Sequence, residues 1–451
     1  RVYRDAFEMD RADQWCISNS QVREDEEKTM KTGKTALIAA LVATAFCSAV
    51  SVQAATRTFI SSGSYINPDN WDTGVPGPAD TGNVGSDLTA TLDVGAGGGG
   101  SIGDTVNIGT SSGSGTLDVL SGDFTMSNLY IGATSGGDVG TVAQTGGTFT
   151  VNPSDGSALG MANNAGEVGI YDISGGSFLF NDPGDKFKLH IGQSGSATIN
   201  VSGTGAVNFS GGQPQFAANT GGRAVINMDG GTWDGGRDHF FGHGDGYFEL
   251  NMRAGTMDTD KINMGGGSGT SVWNVTGGTF LPKKLQTGSG TGTFELNVSG
   301  GTFEIGQDAL LANGPTVKIT VTGTNGSFTV DRDFLLAANA TTKFELADTG
   351  VATIDLDAGD TQTFDGDLVI GLMDGASTMP CTATLITGYA GVGDEFNEVW
   401  EDGLSGDVVY DTGNNEVRIE NVIPEPASMG LMAAGLAGVL WYRRRKSLRA
   451  G

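Results

Sequence analysis

The sequence predicts an all-β fold, a parallel β-solenoid (β-helix) of about ten rungs of roughly 25 residues each. Three observations lead to this prediction. A short unit recurs at a nearly constant spacing, the units contain short stretches of alternating polarity, and no helix of ten or more residues is readable between them. Glycine, with 75 of 451 residues, is frequent enough to supply a sharp corner between successive strands.

The recurring unit is a Gly-Gly turn followed by Ser or Thr and then an aromatic residue, as in Thr-Gly-Gly-Thr-Phe at residues 276–280. Because a unit this small cannot bury its own apolar face, neighbouring units must stack. A sandwich of hairpins is the alternative, but Asn-Gly or Asp-Gly turns would suit it better. The last position of the unit recurs every 23 to 29 residues, at Phe124, Phe149, Phe178, Val207, Trp233, Met257, Phe280, Phe303 and Phe328.

Asparagines share one position in successive units, on the face opposite the alternating apolar residues. Identical amides on adjacent rungs are able to hydrogen-bond along the rod as an asparagine ladder. We interpret this row as a stabilising stack beside the turn, and the alternative is an amide surface that contacts sugar hydroxyls. The five residues are Asn200, Asn227, Asn251, Asn274 and Asn297.

The N-terminal part of the chain has the pattern of an export signal. Residues 1–29 have mixed charge and no periodicity, and we interpret them as a disordered, over-extended start; a genuine extension with an internal anchor helix is the alternative. Residues 30–54 have a basic start, an apolar stretch over 36–50 and small residues before a cut between Ala54 and Ala55. This is the pattern of a signal peptide read by the Sec export machinery.

The C-terminal part has the pattern of a second sorting signal. A Pro-Glu-Pro triplet is followed by an apolar run over 427–442, which predicts a short transmembrane helix, and then by a basic cluster that stays cytoplasmic. The signal residues are Pro424, Glu425, Pro426, Arg443, Arg444, Arg445 and Lys446. Over residues 422–446 this order closely resembles the PEP-CTERM sorting domain. An ordinary C-terminal membrane anchor is the alternative, although it would not require the triplet.

The resemblance implies that an exosortase, an integral-membrane enzyme, recognises and removes the tail. It also implies a Gram-negative host that makes exopolysaccharide. We therefore expect the protein to cross the inner membrane, to be held transiently by its C-terminal helix, and then to reach the cell surface or extracellular matrix.

Between the signals, we expect an N-terminal cap over 55–105, solenoid repeats over 106–360 and a C-terminal β cap over 361–421, because open solenoid ends expose strand edges. Residues 71–80 resemble the Trp-x-x-Gly-x-Pro-Gly-x-x-Asp segment that opens many exported bacterial β-solenoids, including autotransporter-like repeat proteins. The segment between the signals also carries 43 of the 52 acidic residues but 13 of the 25 basic ones, which argues against nucleic acid as a partner.

The sequence contains few motifs that are typical of a catalytic or metal site. His239 and His243 are four residues apart, but in a strand-like context that favours a polar corner over a metal site, and Asp245 belongs to a single Gly/Asp-rich copy. We expect no enzyme activity and no cofactor, although the acidity allows weak calcium binding. The sequence favours an exported structural or adhesin-like protein associated with exopolysaccharide or biofilm. The alternatives are a carbohydrate-binding module and a carbohydrate-active lyase or hydrolase.

Overall fold

The computed structural model describes residues 54–424, except residues 112, 133–137, 154–157, 183–187, 243, 313, 348–350, 358–360, 374–381, 391–395 and 403. The expected disordered start, the signal-peptide residues before Ala54, and the transmembrane helix and basic cluster after Pro424 lie outside this part of the chain. Within it, the helices are too short to cross a membrane.

The described chain is all-β apart from one short 3-10 helix at Pro68–Asn70. The N-terminal strands are β1 (Thr56–Thr58), β2 (Gly63–Ser64), β3 (Thr81–Val84), β4 (Leu88–Asp93), β5 (Gly99–Ser101), β6 (Thr105–Ile108), β7 (Gly115–Ser121), β8 (Asp123–Met126), β9 (Asn128–Ile131), β10 (Val139–Gln144), β11 (Thr148–Val151) and β12 (Leu159–Met161).

The middle of the chain contains the longest strands, which bend round corners instead of ending at them. The middle strands are β13 (Val168–Ile173), β14 (Ser177–Phe180), β15 (Lys188–Ile191), β16 (Ser196–Val201), β17 (Ala206–Phe209), β18 (Gln213–Phe216), β19 (Arg223–Asp234), β20 (His239–Phe241), β21 (Tyr247–Met264), β22 (Thr270–Thr287) and β23 (Thr293–Ile305). The long ones are β19, β21, β22 and β23, of 12 to 18 residues.

The C-terminal strands are short again until the last two, which form a hairpin. They are β24 (Ala309–Leu311), β25 (Thr316–Thr322), β26 (Gly326–Val330), β27 (Phe334–Leu336), β28 (Thr341–Leu346), β29 (Ile354–Leu356), β30 (Gln362–Phe364), β31 (Asp367–Leu372), β32 (Ala383–Thr387), β33 (Asn397–Trp400), β34 (Leu404–Asp411) and β35 (Glu416–Pro424).

These strands stack into a three-sided parallel β-solenoid of about twelve rungs in the described residues, which confirms the predicted architecture. The first face begins β1–β3–β6–β9, the second β2–β4–β7–β10 and the third β5–β8–β11–β14, and each pair is parallel. One rung therefore crosses the three faces in turn. At ~4.8 Å per rung the stack is about 55 Å long.

The repeat marker forms one buried column inside the third face. Phe280 is in register with Phe303, and Phe303 with Phe328, with ring centroids 5.3 and 5.2 Å apart. The other marker residues continue this column towards the N-terminus by the same parallel register. Burial of one apolar side chain on each rung from Phe124 to Phe328 gives this part of the solenoid a continuous core. It also fixes the register, because a slip by one residue would expose the column.

The Gly-Gly corner has a different steric reason at each position. Gly278 has φ +72°, the left-handed region that L side chains rarely adopt. Gly277 is needed for space, because a Cβ there would overlap the carbonyl oxygen of Arg253 on the preceding rung. The close spacing of the rungs at this corner therefore depends on both glycines.

The parallel stack extends beyond the predicted repeat range at both ends. β1 already pairs with β3, although both lie in the range expected to be an N-terminal cap. At the other end, β31 and β33 extend the second face in parallel, and antiparallel pairing between strands is confined, in the described chain, to β32 with β35 and β34 with β35. These terminal rungs lack the Gly-Gly-Thr-Phe marker, which is why the sequence pattern did not include them.

Candidate functional site

The five predicted asparagines lie in one column on the outer side of the second face. Successive members are in register, and the side-chain Nδ2 of each of the last four donates to the Oδ1 of the asparagine before it. The four distances run from 2.7 to 3.0 Å. We refer to Asn200, Asn227, Asn251, Asn274 and Asn297 as the asparagine row.

The asparagine row ends on other polar residues. Asn200 donates to Asp172 at 2.6 Å on the rung before it, and Thr320 occupies the same position on the rung after Asn297. An amide has two N–H groups and one oxygen with two lone pairs. Within the row Asn227 and Asn274 each use one N–H and one lone pair, so each keeps a second N–H and a second lone pair for another partner.

A charged cluster borders the asparagine row. Glu249 lies two residues before Asn251 on the same face and accepts from its Nδ2 at 2.9 Å. Arg223 pairs with Glu249 at 3.0 Å and places its guanidinium 4.8 Å from the ring centroid of Tyr247. Burial works against the ionised form of Glu249, but the hydrogen bonds from Asn251 and Arg223 outweigh it and hold the pKa of Glu249 below its usual value. The hydroxyl of Tyr247 also donates to Glu249, at 3.3 Å. The middle of the asparagine row is therefore bordered by a carboxylate that three neighbours hold in place.

A second row, not predicted from the sequence, lies on the third face. The hydroxyl residue of the Gly-Gly-Thr-Phe unit faces outward on successive rungs, five residues after the asparagine. The signal was present in the marker itself, since the residue beside each buried aromatic must point outward. The threonine row consists of Thr232, Thr256, Thr279 and Thr302, joined by register.

His239 is in the core and not at a polar corner. Its Nδ1 lies 2.9 Å from the carbonyl oxygen of Arg237, and its Nε2 accepts from the indole N–H of Trp233 at 3.4 Å. Burial lowers the pKa of His239 to about 4, so the ring is neutral at pH 7. Both ring nitrogens are engaged in packing contacts, which makes this histidine a structural residue.

The other candidate residues for chemistry are also held by structural contacts. Asp245 accepts from the backbone N–H and the hydroxyl of Ser268 and from the hydroxyl of Thr220, and these bonds lower its pKa. It therefore joins neighbouring rungs. His243 lies outside the described residues. In the described part of the chain there is no cluster of three or more His, Cys, Asp or Glu side chains that would hold a metal ion.

The segment at residues 71–80 closes the N-terminal end of the core. Trp71 packs edge-on against Tyr65 and Phe59, with centroids 4.7 and 5.0 Å away, and its indole N–H donates to the Tyr65 carbonyl at 2.6 Å. Gly82 allows this packing, because a Cβ there would be 2.5 Å from the Tyr65 hydroxyl and 3.0 Å from Pro76. The aromatic plug covers the first rung.

Asp80 ties this plug to the first strand. One carboxylate oxygen accepts from the backbone N–H of Ala55 at 2.9 Å, and the other accepts from Gly77 N–H and Arg57 Nε, each at 2.9 Å. These bonds, from Gly77 first, then Ala55 and Arg57, lower the pKa of Asp80 to about 2. The side chain is 8% exposed, so the carboxylate is a buried charge that depends on these three partners.

The predicted sorting signal begins inside the last strand. Val422 is buried, Ile423 is exposed, and Pro424 is in register with Leu404 across the β34–β35 hairpin. Glu425, Pro426 and the basic residues 443–446 lie outside the described residues. The signal therefore continues directly from the strand that covers the C-terminal end of the solenoid.

Residues 422–446 match the model of the PEP-CTERM protein-sorting motif. No curated protein and no solved structure matched the chain. The chain is thus a β-solenoid that carries a PEP-CTERM sorting motif at its C-terminus. That motif implies processing by an exosortase, and with it export and a membrane-anchored sorting signal.

Proposed function

We propose that this protein is a structural rod of the cell surface or extracellular matrix, which acts as a spacer, scaffold or adhesin in a layer of exopolysaccharide or biofilm. The observation that carries the proposal is the continuity between the rod and its sorting motif, which starts within β35. An exosortase that cuts near this junction would release or transfer a rod that is already capped at its C-terminal end.

The construction of the rod supports this role. From Phe124 to Phe328 each rung buries its aromatic or apolar marker against the next, so stiffness comes from a contact that is repeated along this part of the stack. The chain has a formal charge of −27, with the acidic excess concentrated in the rod, and like charge keeps exported rods apart and hydrated.

We further propose that the protein does not turn over a substrate. A glycosidase acid needs a raised pKa and a second carboxylate across the scissile bond. Hydrogen bonds instead lower the pKa values of four aspartates: Asp80, Asp229, Asp245 and Asp411. Burial raises the pKa of Asp118, but its register neighbour on the next rung is Ala143.

The turnover question has a direct test. The purified rod is incubated with neutral and acidic polysaccharides, and new reducing ends and unsaturated products are assayed. We expect neither. Products that appear with the wild-type protein and disappear with Asp118→Asn would replace the structural role by an enzymatic one.

Sorting is tested in a host that encodes an exosortase and in the matching exosortase deletion strain. We expect mass spectrometry of the protein from the envelope and medium to find no peptides from the tail after the motif, and the deletion strain to retain them. Glu425→Ala should behave like the deletion, whereas Glu420→Ala, four residues before the motif's Pro424, should be processed normally. A mature surface protein whose tail is intact to Lys446 would rule out exosortase processing.

A second candidate function is polysaccharide binding along the asparagine row. The observation that favours it is the half-buried, continuous line of amides with spare hydrogen-bonding capacity, bordered by the Glu249 cluster. A glycan chain offers hydroxyl groups repeatedly along one direction, which is what a column of amides at ~4.8 Å spacing is able to match.

A further inference from the structure

The backbone nitrogen of Ala55 is hydrogen-bonded to the N-terminal plug. It donates to Asp80 Oδ1 at 2.9 Å, and the carbonyl oxygen of the same residue accepts from Thr81 N–H at 2.8 Å. Ala54, one residue earlier, is exposed. The expected cut therefore lies between an exposed residue and a residue whose backbone is bonded to Asp80.

We propose that Asp80 is a binding site for the α-ammonium group that proteolytic removal of the leader creates at Ala55. The inference rests on the proposed export of the protein and on the cut expected between Ala54 and Ala55. A signal peptidase breaks the C–N bond between these residues with water. The water oxygen bonds to the Ala54 carbonyl carbon to give a carboxylate, and the released amine takes up a proton.

The chemistry of the Asp80 site fits an ammonium better than the amide it holds in the uncut chain. Burial of an unpaired carboxylate costs free energy. The two carboxylate oxygens of Asp80 accept from different partners. Oδ2 accepts from Arg57 and Gly77, whereas Oδ1 accepts from Ala55. Cleavage replaces one neutral N–H at Oδ1 by a charged group with three N–H donors, and charge-assisted hydrogen bonds are roughly twice as strong as neutral ones.

The position of Asp80 links this ion pair to the end of the solenoid. Through Gly77 the carboxylate holds the loop that carries the Trp71 plug, and through Ala55 and Arg57 it holds β1. Removal of the leader would therefore tighten the N-terminal closure of the rod. The charged neighbours that define the ammonium's environment are Asp80, which raises its pKa, and Arg57, which opposes that rise.

The test uses the full chain, exported and purified from a Gram-negative host. Peptide mass spectrometry identifies the first residue, and the pH dependence of reductive methylation gives the pKa of the α-amine in the folded and in the urea-unfolded protein. An α-amine without a partner titrates at about 7.7–8.0. We expect Ala55 as the first residue and a folded-state pKa at least about one unit above that of the unfolded chain.

Two variants provide the comparison. Asp80→Asn should bring the amine pKa back to the unfolded value or below it, because the positive charge of Arg57 remains. Asp72→Asn is the matched control, because Asp72 accepts from the Thr58 backbone at 3.0 Å in the same region but does not contact Ala55, and it should leave the pKa unchanged. If Asp80→Asn fails to fold, the comparison of folded with unfolded wild-type protein still decides.

The outcomes separate this inference from the proposed function. A processed first residue at Ala55 with an equal amine pKa in the folded and unfolded chain overturns the ion pair and leaves export intact. A first residue elsewhere in the exported protein also overturns it. A leader that is never removed, on a protein that stays in the cytoplasm, overturns the proposed export itself.

Discussion

The side-chain nitrogen of Asn251 donates to the side-chain oxygen of Asn227, one rung earlier, at 3.0 Å, and Asn251 in turn accepts from Asn274 at 2.9 Å. The row thus joins successive rungs through side chains as well as through the backbone. Because the amides are half-buried, water competes for each bond, and the energetic value of a single bond is modest.

Asn251→Ala should destabilise the rod by about 1–2 kcal/mol, since it removes two bonds of the row and leaves a donor and an acceptor without their row partners. Thr198→Ala, on the same face but in the neighbouring column, is the control and should cost less than about 0.5 kcal/mol. Native-state hydrogen exchange of the amides in β19, β21 and β22 is the suitable measurement, because solenoids unfold locally. Equal protection loss in both variants would show that the row does not stabilise the stack.

The glycine corner makes a sharper prediction. Gly278 and Gly323 share φ +72°, but an added Cβ at Gly278 would be 2.8 Å from the Ala254 and Gly255 backbones, whereas at Gly323 it would have nothing within 4 Å. Both Ala variants carry the left-handed strain of ~1–2 kcal/mol. Gly278→Ala should cost a further ~1–3 kcal/mol from overpacking. Denaturation midpoints compare the two, and similar values would mean that rung spacing at this corner is adjustable.

The extent to which the fold could be predicted differs between its parts. The Phe280–Phe303–Phe328 column and the asparagine row could be predicted because one residue type recurs at one register, so the sequence period is also the structural period. The first rungs could not, since Gly100 occupies the place where Phe124 lies one rung later. Without a side chain at that position, the repeat loses its marker although the backbone pairing continues.

The candidate sites likewise include residues whose surroundings could not be predicted from the sequence period. The strand-like, glycine-containing context of His239 predicts a polar corner, yet Phe216 and Phe241 pack against it with centroids 6.1 and 5.7 Å away. Burial of this kind depends on contacts between rungs that no local pattern records. The link between Asp80 and Ala55 spans 25 residues and was equally invisible in the sequence.

His239 should give the rod a pH dependence between about pH 6.5 and pH 4. Burial lowers its folded-state pKa to about 4, while the unfolded value is about 6.5. In this window the unfolded chain binds a proton that the folded chain does not, so stability is present above about pH 6.5 and is lost as the pH falls towards 4. The loss approaches about 3 kcal/mol at most.

His239→Gln, which keeps polar atoms but does not titrate, should flatten the stability profile over this window. The titration of Asp80 lies below this pH window. Its folded-state pKa is lower than its unfolded value of about 3.9, so its contribution to stability is lost only as the pH falls towards 2. The measurement is urea denaturation at a series of pH values, followed for the variant and the wild type. An unchanged slope in the variant would assign the pH dependence to other groups.

Binding of a polysaccharide along the asparagine row makes the last prediction. The strong negative charge of the rod repels anionic chains at low salt, so we expect neutral glycans to bind, with little dependence on ionic strength. The double variant Asn227→Ala/Asn274→Ala removes two of the amides with spare capacity from the interior of the row. It should weaken binding about tenfold or more, at ~0.5–1.5 kcal/mol for each lost hydrogen bond. Thr256→Ala/Thr279→Ala, on the third face, changes two side chains in register in the same part of the stack and should leave the affinity unchanged.

A glycan array followed by calorimetry on the strongest neutral ligand measures the affinity of both double variants. Equal losses in the two double variants would place binding elsewhere on the rod, and binding of anionic glycans alone would point to divalent cations between the ligand and the acidic surface.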